Sequence, residues 1–311
     1  MRPFFSVAIS VYNKEVQIQS TLESVLAQTF TDYEIVIVND GSTDQSAAII
    51  KSFTDPRISY FEQENCGASA GRNNAIAKSN GRYIALLDAD DLWHPDYLAT
   101  LHQLILAYPE QSVFASAVAI ENGNTTKRSI YSINNLTENG IYILNYFESS
   151  YYNTLLTSSS TIVRAEAFDH IGGYDVNIKS GQDTDLWIRI GINYDIVFIN
   201  KTLATYRYEK KSLSNQSKKL SHKPKLNQYL GEESKNSALK KFMDLNRFSM
   251  AVLSKLDCDQ DNYCYYLAGI DLNNLNKKQR FILKQPGAVL KILYKIKHLL
   301  RSSGIETSAF R

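Results

Sequence analysis

YIALLDADDLW, residues Tyr83 to Trp93, is an apolar run with a β-branched and an aromatic side chain that stops abruptly in Asp88, Asp90 and Asp91. Three carboxylates within four positions repel one another, so the cluster gains nothing for folding unless a cation meets it. The run before it has the length and composition of a buried strand, which places the carboxylates at a strand end.

The chain on either side repeats that unit. FFSVAISV is apolar and β-rich, and Ile18, Leu22, Val25 and Leu26 after it fall on one helical face. Tyr33 to Val38 (YEIVIV) reads as a second strand, and Ser42 or Thr43 offers an N-cap to the helix that follows. RISYF is a third strand, ASAGRNNAIAKS a helix, and RYIALL a fourth strand. HPDYLATLHQLILAY reads as a helix with Pro95 in its first turn, and SVFASAVAI as a fifth strand. This alternation predicts an α/β fold with a mostly parallel sheet and helices on both faces. Ligands of such sheets bind beyond the carboxyl ends of the strands. The polar clusters fall there: Ser10, Tyr12 and Asn13, then Asn39 to Ser42, then Asp88 to Asp91.

From Glu121 to Ser158 the pattern weakens into Tyr- and Asn-rich sequence, read as a surface excursion with a short helix around Tyr142 to Phe147. SSSTIVR, AEAFDHIGGYD, the helical DTDLWIRIGI, and the strands DIVFIN and LATYRY complete a first body near Tyr208. A basic, polar stretch follows, and then a helical C-terminal region. The expected division is a catalytic domain over 1–214 and a helical extension over 215–311.

Composition narrows the function. The 311 residues are 44% hydrophobic, ample for a core. Lys and Arg number 34 against 32 Asp and Glu, a balance that gives no case for nucleic-acid binding. Cys66, Cys258 and Cys264 are an odd number without metal-type spacing, which argues for a reducing compartment. No apolar run approaches the ~18 residues of a membrane span, and polar Ser6, Ser10 and Asn13 break any secretory core near the N-terminus. A soluble, cytoplasmic protein is expected.

Taken singly, each cluster has two readings. Asp88 to Asp91 suits a hard divalent cation such as Mg²⁺ or Mn²⁺, or is a solvated turn at a helix N-terminus, or a phosphatase-type pair. VNDGSTD can hydrogen-bond a base or ribose, or is simply good turn chemistry. Gly67, Gly71 and Arg72 open a helix whose N-terminus suits phosphate or ribose, yet they do not make a dinucleotide fingerprint. Gln182, Asp183 and Asp185 begin another helix; an Asp there is a helix-dipole partner or a general base.

Together, SVYNKE, VNDGSTD, NCGASAGRNNAI, LLDADD, GGYD and GQDTDLWIR, in that order, resemble the inverting nucleotide-sugar glycosyltransferases of family 2, with the GT-A fold. The likeness runs from about Pro3 to Ser214 and is of the bacterial surface-polysaccharide type. It implies that Ser10, Tyr12 and Asp40 hold the nucleotide base, usually uracil, and that Arg72 lies near ribose and diphosphate. It implies that Asp88 and Asp90 form the D-x-D motif, with Asp90 or Asp91 on a Mn²⁺ or Mg²⁺ ion. Asp183 is then the general base, with Gln182, Asp185 and Arg189 in support. The implied partners are a UDP-sugar and a glycan or polyprenyl-diphosphate-linked acceptor, in O-antigen- or capsule-like synthesis.

Two departures stand out. Gln182 replaces the usual Glu of the family's acidic pair, and Glu209 stands where relatives often carry His, although Tyr206, Arg207 and Ser214 fit. Two other readings compete: a non-catalytic sugar-nucleotide or glycan-binding protein on the same fold, and a metal-dependent nucleotidyltransferase or phosphohydrolase.

Near the C-terminus, Val289, Ile292, Leu293, Ile296, Leu299 and Leu300 form a helical stripe among Lys291, Lys295, Lys297 and Arg301, with no acid from Lys277 to Gly304. Such a helix either packs on the body or lies on an anionic membrane, at the inner face of the cell membrane.

Overall fold

A computed structural model describes residues 2–123, 125–208 and 223–302, the side chains of 297–302 aside. Four strands lay down the first half of the sheet in parallel: β1 (Phe5–Val11), β2 (Tyr33–Asp40), β3 (Ile58–Gln63) and β4 (Tyr83–Asp88). The helices between them are α1 (Ile18–Leu26), α2 (Ser46–Lys51) and α3 (Ala68–Ala77). After the short β5 (Leu92–Trp93) come α4 (Tyr97–Ala107), β6 (Val113–Asn122), β7 (Thr125–Arg128), β8 (Ile141–Leu144) and α5 (Tyr146–Ser149). β9 (Thr161–Arg164), α6 (Ala167–Ile171), α7 (Gln182–Asn193) and β10 (Ile196–Arg207) close the sheet.

The strand order is β3-β2-β1-β4-β9-β6-β10-β5, with β7 on β6 and β8 on β10. β9 runs antiparallel between β4 and β6, while β10 runs parallel to β6. The central strands read as near-continuous apolar runs because both their faces are covered. Phe5, Val7, Ile9 and Val11 of β1 pack under α1 and α4, with Leu22, Val25, Leu98 and Leu101. Ala8 of β1, Val36 and Val38 of β2, and Ile84 and Leu86 of β4 face the opposite layer, where α3 and α7 contribute Ala75, Leu186, Ile188 and Ile190. Period-two alternation thus assigns each residue to one of two cores.

Several local expectations change. Ile141–Leu144 is a strand rather than part of a helix, because it pairs antiparallel with Ile196–Ile199. Asn145 then caps α5 by accepting from the Phe147 and Glu148 amides. DIVFIN and LATYRY are one strand, broken only by register shifts around Thr202. Neither Ser42 nor Thr43 caps α2, which starts after Gln45; the Ser42 hydroxyl instead accepts from the Asn13 amide at 3.1 Å. Pro95 precedes α4 by two residues and lies outside its first turn.

Beyond residue 223 come α8 (Leu230–Glu233), α9 (Ser237–Leu256), α10 (Gln260–Ala268), α11 (Lys277–Lys284) and α12 (Gly287–Ser302). Leu239, Phe242 and Met243 of α9 join the core that contains Tyr146, Phe147 and Leu186. Farther along α9, Leu245, Phe248 and Ala251 build a smaller core with Tyr266, Leu275 and Leu283. The helical region is therefore packed against the sheet body through α9. The expected boundary at Ser214, and Glu209 with it, falls outside the described residues. Along α12, Leu290 is buried, whereas Val289, Ile292, Leu293 and Ile296 are exposed. The rest of that stripe, Leu299 and Leu300, lies outside the described side chains, as do Lys297 and Arg301. Among the described residues no helix is long and apolar enough to cross a membrane.

Candidate active site

Parallel register brings the first polar cluster together without long loops. Ser10 of β1 pairs with Asp88 of β4 and with Val38 of β2, so the carboxyl ends of three neighbouring strands finish on one edge. The N-terminus of α3 closes over this edge at Gly71. A Cβ there would stand 2.1 Å from the Ser10 hydroxyl and 3.2 Å from its Cβ, so any larger residue would force the Ser10 side chain to move.

Asp40 is buried, and its carboxylate accepts from the Gln63 amide side chain at 2.7 Å and from the backbone amides of Cys66 and Gly67, each at 2.9 Å. It therefore holds the loop leading into α3. Tyr12 is about half exposed at the same edge. Asn13, with φ +51°, ties its neighbour loop down by accepting from the Thr43 amide at 2.8 Å.

The three aspartates after β4 separate into different roles. Asp88 accepts from Arg72 Nη2 at 2.5 Å, and Asp90 pairs with Lys14 Nζ. Asp91 turns inward, 1% exposed, where it accepts from the Ser159 hydroxyl at 2.5 Å and the Arg207 amide at 3.0 Å. Burial, together with the charges of Asp88 and Asp90, pushes the Asp91 carboxyl well above the usual carboxylate range. Arg207 also donates through Nε to the Asp90 carbonyl and through Nη1 to Ser20 Oγ, which fixes the turn. Two cations thus answer the opening charge cluster directly, Arg72 and Lys14.

Asp183 is the second residue of α7, whose N-cap Gly181 takes a left-handed conformation at φ +91°. Its Oδ1 accepts from the Ser158 hydroxyl at 3.1 Å and stands 3.6 Å from Arg72 Nη1. Burial raises the Asp183 carboxyl above its ordinary value, Arg72 opposes that, and the Asp88 charge adds to it. Arg72 itself lies over the Tyr174 ring, 5.2 Å from its centroid. Arg72 Nη1 is buried without a hydrogen-bond partner, 3.6 Å from Asp183 Oδ1.

Asp185 and Arg189 of α7 are bound elsewhere. Asp185 binds Arg189 at 2.7 Å and the Tyr229 hydroxyl at 2.6 Å, and Arg189 donates to the carbonyls of Ile171 and Gly173. That pair locks the GGYD turn and the start of the C-terminal region onto α7. Gln182 is buried, with its Oε1 unpaired.

Sequence reasoning placed Asp88, Asp90, Asp183 and Arg72 together but passed over Lys14, Ser158 and Ser159. Lys14 lies within SVYNKE itself, so its charge opposite three acids was the available signal. The two serines sit in a SSS run with no distinguishing pattern.

Comparison with known proteins identifies the family and the fold. The family model described as Glycosyl transferase family 2 matches residues 6–172. The chain is 32% identical over 222 residues to the glycosyltransferase GlyA of Streptococcus pneumoniae serotype 4, a match that covers 67% of this chain and 31% of that protein. It is 28% identical over 227 residues to the putative teichuronic acid biosynthesis glycosyltransferase TuaG of Bacillus subtilis, covering 71% and 86% of the two chains. The chain spans about a third of the length of the first curated relatives it matches. S. aureus TarS 1–349 in complex with UDP-GlcNAc shares the fold, with TM-score 0.60 at 20% identity over 86% of this chain and 92% of that one. The α/β architecture with a helical C-terminal part is therefore the GT-A arrangement expected above. With over half of its length matched by the family model, the chain belongs to glycosyl transferase family 2.

Proposed function

We propose that this chain is an inverting glycosyltransferase that moves a sugar from a UDP-sugar to a hydroxyl of a glycan or polyprenyl-diphosphate-linked acceptor, in cell-surface polysaccharide synthesis. The observation that carries the reading is the Arg72 guanidinium, which reaches Asp88 at 2.5 Å and Asp183 at 3.6 Å. One side chain joins the strand end where a diphosphate would depart to the carboxylate placed to take a proton. The UDP-GlcNAc bound by TarS and the teichuronic acid role in the name of TuaG favour a UDP-sugar donor and a surface glycan.

Asp183 accepts the proton of the acceptor hydroxyl as that oxygen attacks the anomeric carbon. The bond from the anomeric carbon to the diphosphate oxygen breaks, and its electron pair leaves with the diphosphate. A single displacement inverts the configuration, so an α-linked donor gives a β-linked product. The raised pKa makes Asp183 a stronger base, and Ser158 fixes the direction of its lone pairs. Arg72 and Lys14 are the cations available to the departing diphosphate. Asp185 and Arg189 position α7 without touching the reacting atoms.

Asp88 and Asp90 are hard oxygen donors of the type that Mn²⁺ or Mg²⁺ prefers. We assign them, rather than Asp91, to such an ion, because both Asp91 oxygens already accept hydrogen bonds in the interior. Among the described residues no three His, Cys, Asp or Glu side chains group to hold a metal, so phosphate oxygens of the donor would complete the shell. The ion would offset the negative charge of the leaving diphosphate.

The test is nucleoside diphosphate release from UDP-, GDP- and dTDP-sugars with Mn²⁺ and lipid-linked acceptors, for wild type and Asp183→Asn. Turnover of one UDP-sugar that the variant loses, while it still binds UDP, supports both the transfer and the base. Equal activity in the variant sinks the assignment of Asp183.

Membrane association belongs to the same reading. Val289, Ile292, Leu293 and Ile296 of α12 are exposed beside Lys291 and Lys295, so these four are not used in packing on the body. A basic helix with a free apolar face suits an anionic lipid surface that carries the acceptor. Deleting Gln285 to Arg311 should release the protein from membranes.

A further inference from the structure

A cavity of about 280 Å³ opens beside Asp183, between α5 and its following loop, the first turns of α7, and α9. Its floor is aromatic and fixed. Tyr146, Trp187 and Phe242 are buried there, and the Tyr146 and Phe242 rings stand 5.5 Å apart. The Tyr146 hydroxyl is held by Thr154 at 3.1 Å. The rim is polar and half open, with Tyr152 at 44% exposure and the side chain of Asn246. Asn246 gives its amide N–H to the Phe242 carbonyl at 2.9 Å, which orients its oxygen as an acceptor.

The charge of this lining separates it from the other end of the site. No Lys, Arg or His lines the cavity, and Asp183 is its single ionisable carboxylate. Lys241, on the same helix, lies over the Tyr151 ring at 4.5 Å. The nearest cations stand outside the lining, Arg72 engaged with Asp88 and Asp183 and Lys241 over the Tyr151 ring. A diphosphate inside the cavity would therefore meet no lining cation, whereas Arg72 and Lys14 stand directly at Asp88 and Asp90. An apolar floor with a few placed polar groups is the usual design of a small-molecule site. A pyranose has the matching shape: a C–H face for an aromatic surface and a rim of hydroxyls for amide and carboxylate acceptors.

We infer that this cavity is the acceptor subsite and that it receives a neutral sugar ring, with one hydroxyl directed at Asp183. The inference rests on the transfer reading above, because it takes Asp183 as the base. It adds that α9, which lies beyond the residues matched by the family model, selects the acceptor through Asn246 and Ser249. A negatively charged ring, such as a uronic acid, is disfavoured by the Asp183 charge and the lack of any cation in the lining.

The experiment is saturation-transfer NMR on the full chain with UDP present, using methyl β-D-glucopyranoside and methyl N-acetyl-β-D-glucosaminide as neutral probes. Methyl β-D-glucuronide and glycerol 3-phosphate serve as anionic ones. Neutral probes should bind, and Asn246→Ala and Tyr152→Ala should each weaken them by roughly three- to tenfold. Ser249→Phe, which fills the cavity from its rim, should abolish binding. UDP affinity, measured by calorimetry, should stay within about twofold of wild type in all three, as should the circular dichroism spectrum. The inference is overturned if no neutral probe binds, if the variants bind it like wild type, or if the anionic probes bind better. Failure of wild type to bind UDP would instead sink the donor reading, and the probe titrations would then be judged without the nucleotide.

Discussion

The two ends of the site are assembled in different ways. In the proposed site the donor end takes Ser10, Asp40, Arg72, Asp88 and Asp90 from the first ninety residues, on adjacent strands and the helix packed beside them. Parallel register alone aligns Ser10 with Asp88. The acceptor end draws Asp183 from α7, Tyr152 from the loop after α5, and Asn246 from α9, segments about thirty and sixty residues apart. No register relates them; they meet because their helices share a core through Tyr146, Trp187 and Phe242. Strand topology therefore fixes the donor end, whereas tertiary packing fixes the acceptor end. Damage to packing should reach the second before the first.

The largest effect expected is on chemistry at the join. Asp183→Asn should lower transfer by about 10²- to 10⁴-fold, the range for a lost general base, while UDP binding measured by calorimetry changes little. If UDP binding falls in parallel, the two ends are not separable in the way proposed.

Next comes the clamp that holds α9. Arg247 is nearly buried and binds Glu233 through two hydrogen bonds, at 2.6 and 2.7 Å, and Asp244 at 3.3 Å. Arg247→Ala leaves two buried carboxylates, a loss of about 3 kcal/mol at the low end for a broken buried pair. The low end applies because Lys240 still reaches Asp244 at 2.5 Å and Glu233 at 3.3 Å. Thermal or urea unfolding measures the loss. Acceptor-probe binding should weaken in this variant while UDP binding persists, and the reverse order would contradict the comparison.

Smaller again is Asp91→Ala, which leaves the Arg207 amide and the Ser159 hydroxyl without their acceptor. About 1–3 kcal/mol of stability should be lost in an unfolding titration. Since Asp91 faces inward, Mn²⁺ affinity should change far less than in Asp90→Ala.

These differences also explain how much was legible in the sequence. The meeting of the strand-end clusters on one edge was, because a strand ending in LLDADD, NDGSTD or AISVYN carries its polar residues within a few positions of its structural signal. The fate of the third aspartate was not: that Asp91 points inward depends on Ser159 and Arg207, some 70 and 116 residues away. Tyr142 to Leu144 was read into a helix reaching Phe147 because so few residues carry no period of their own; pairing with β10 made Ile141–Leu144 a strand. The register-shifted β10 was split in two for a similar reason, since its irregularity around Thr202 resembles a turn. The acceptor cavity left no trace, because its aromatic floor has the same composition as any core.

The subtlest prediction concerns the ionisation of Asp183, where the two ends touch. Burial and the Asp88 charge raise its pKa, and Arg72 lowers it. A base must be ionised, so kcat/KM should fall as pH drops through this raised value, at higher pH than the ~4 of an ordinary carboxylate. Substitutions at the donor end should move that limb in opposite directions. Arg72→Gln removes the cation that favours the carboxylate and should shift the titration upward. Asp88→Asn removes a like charge and should shift it downward. Carbon-13 NMR titration of the Asp183 carboxyl in the free protein reads both shifts without requiring turnover. Shifts of opposite sign would mean that the donor end tunes the base across the Arg72 bridge. Identical titrations in all three proteins would mean that Asp183 answers only to its own burial, and that the two ends share a space but no electrostatic coupling.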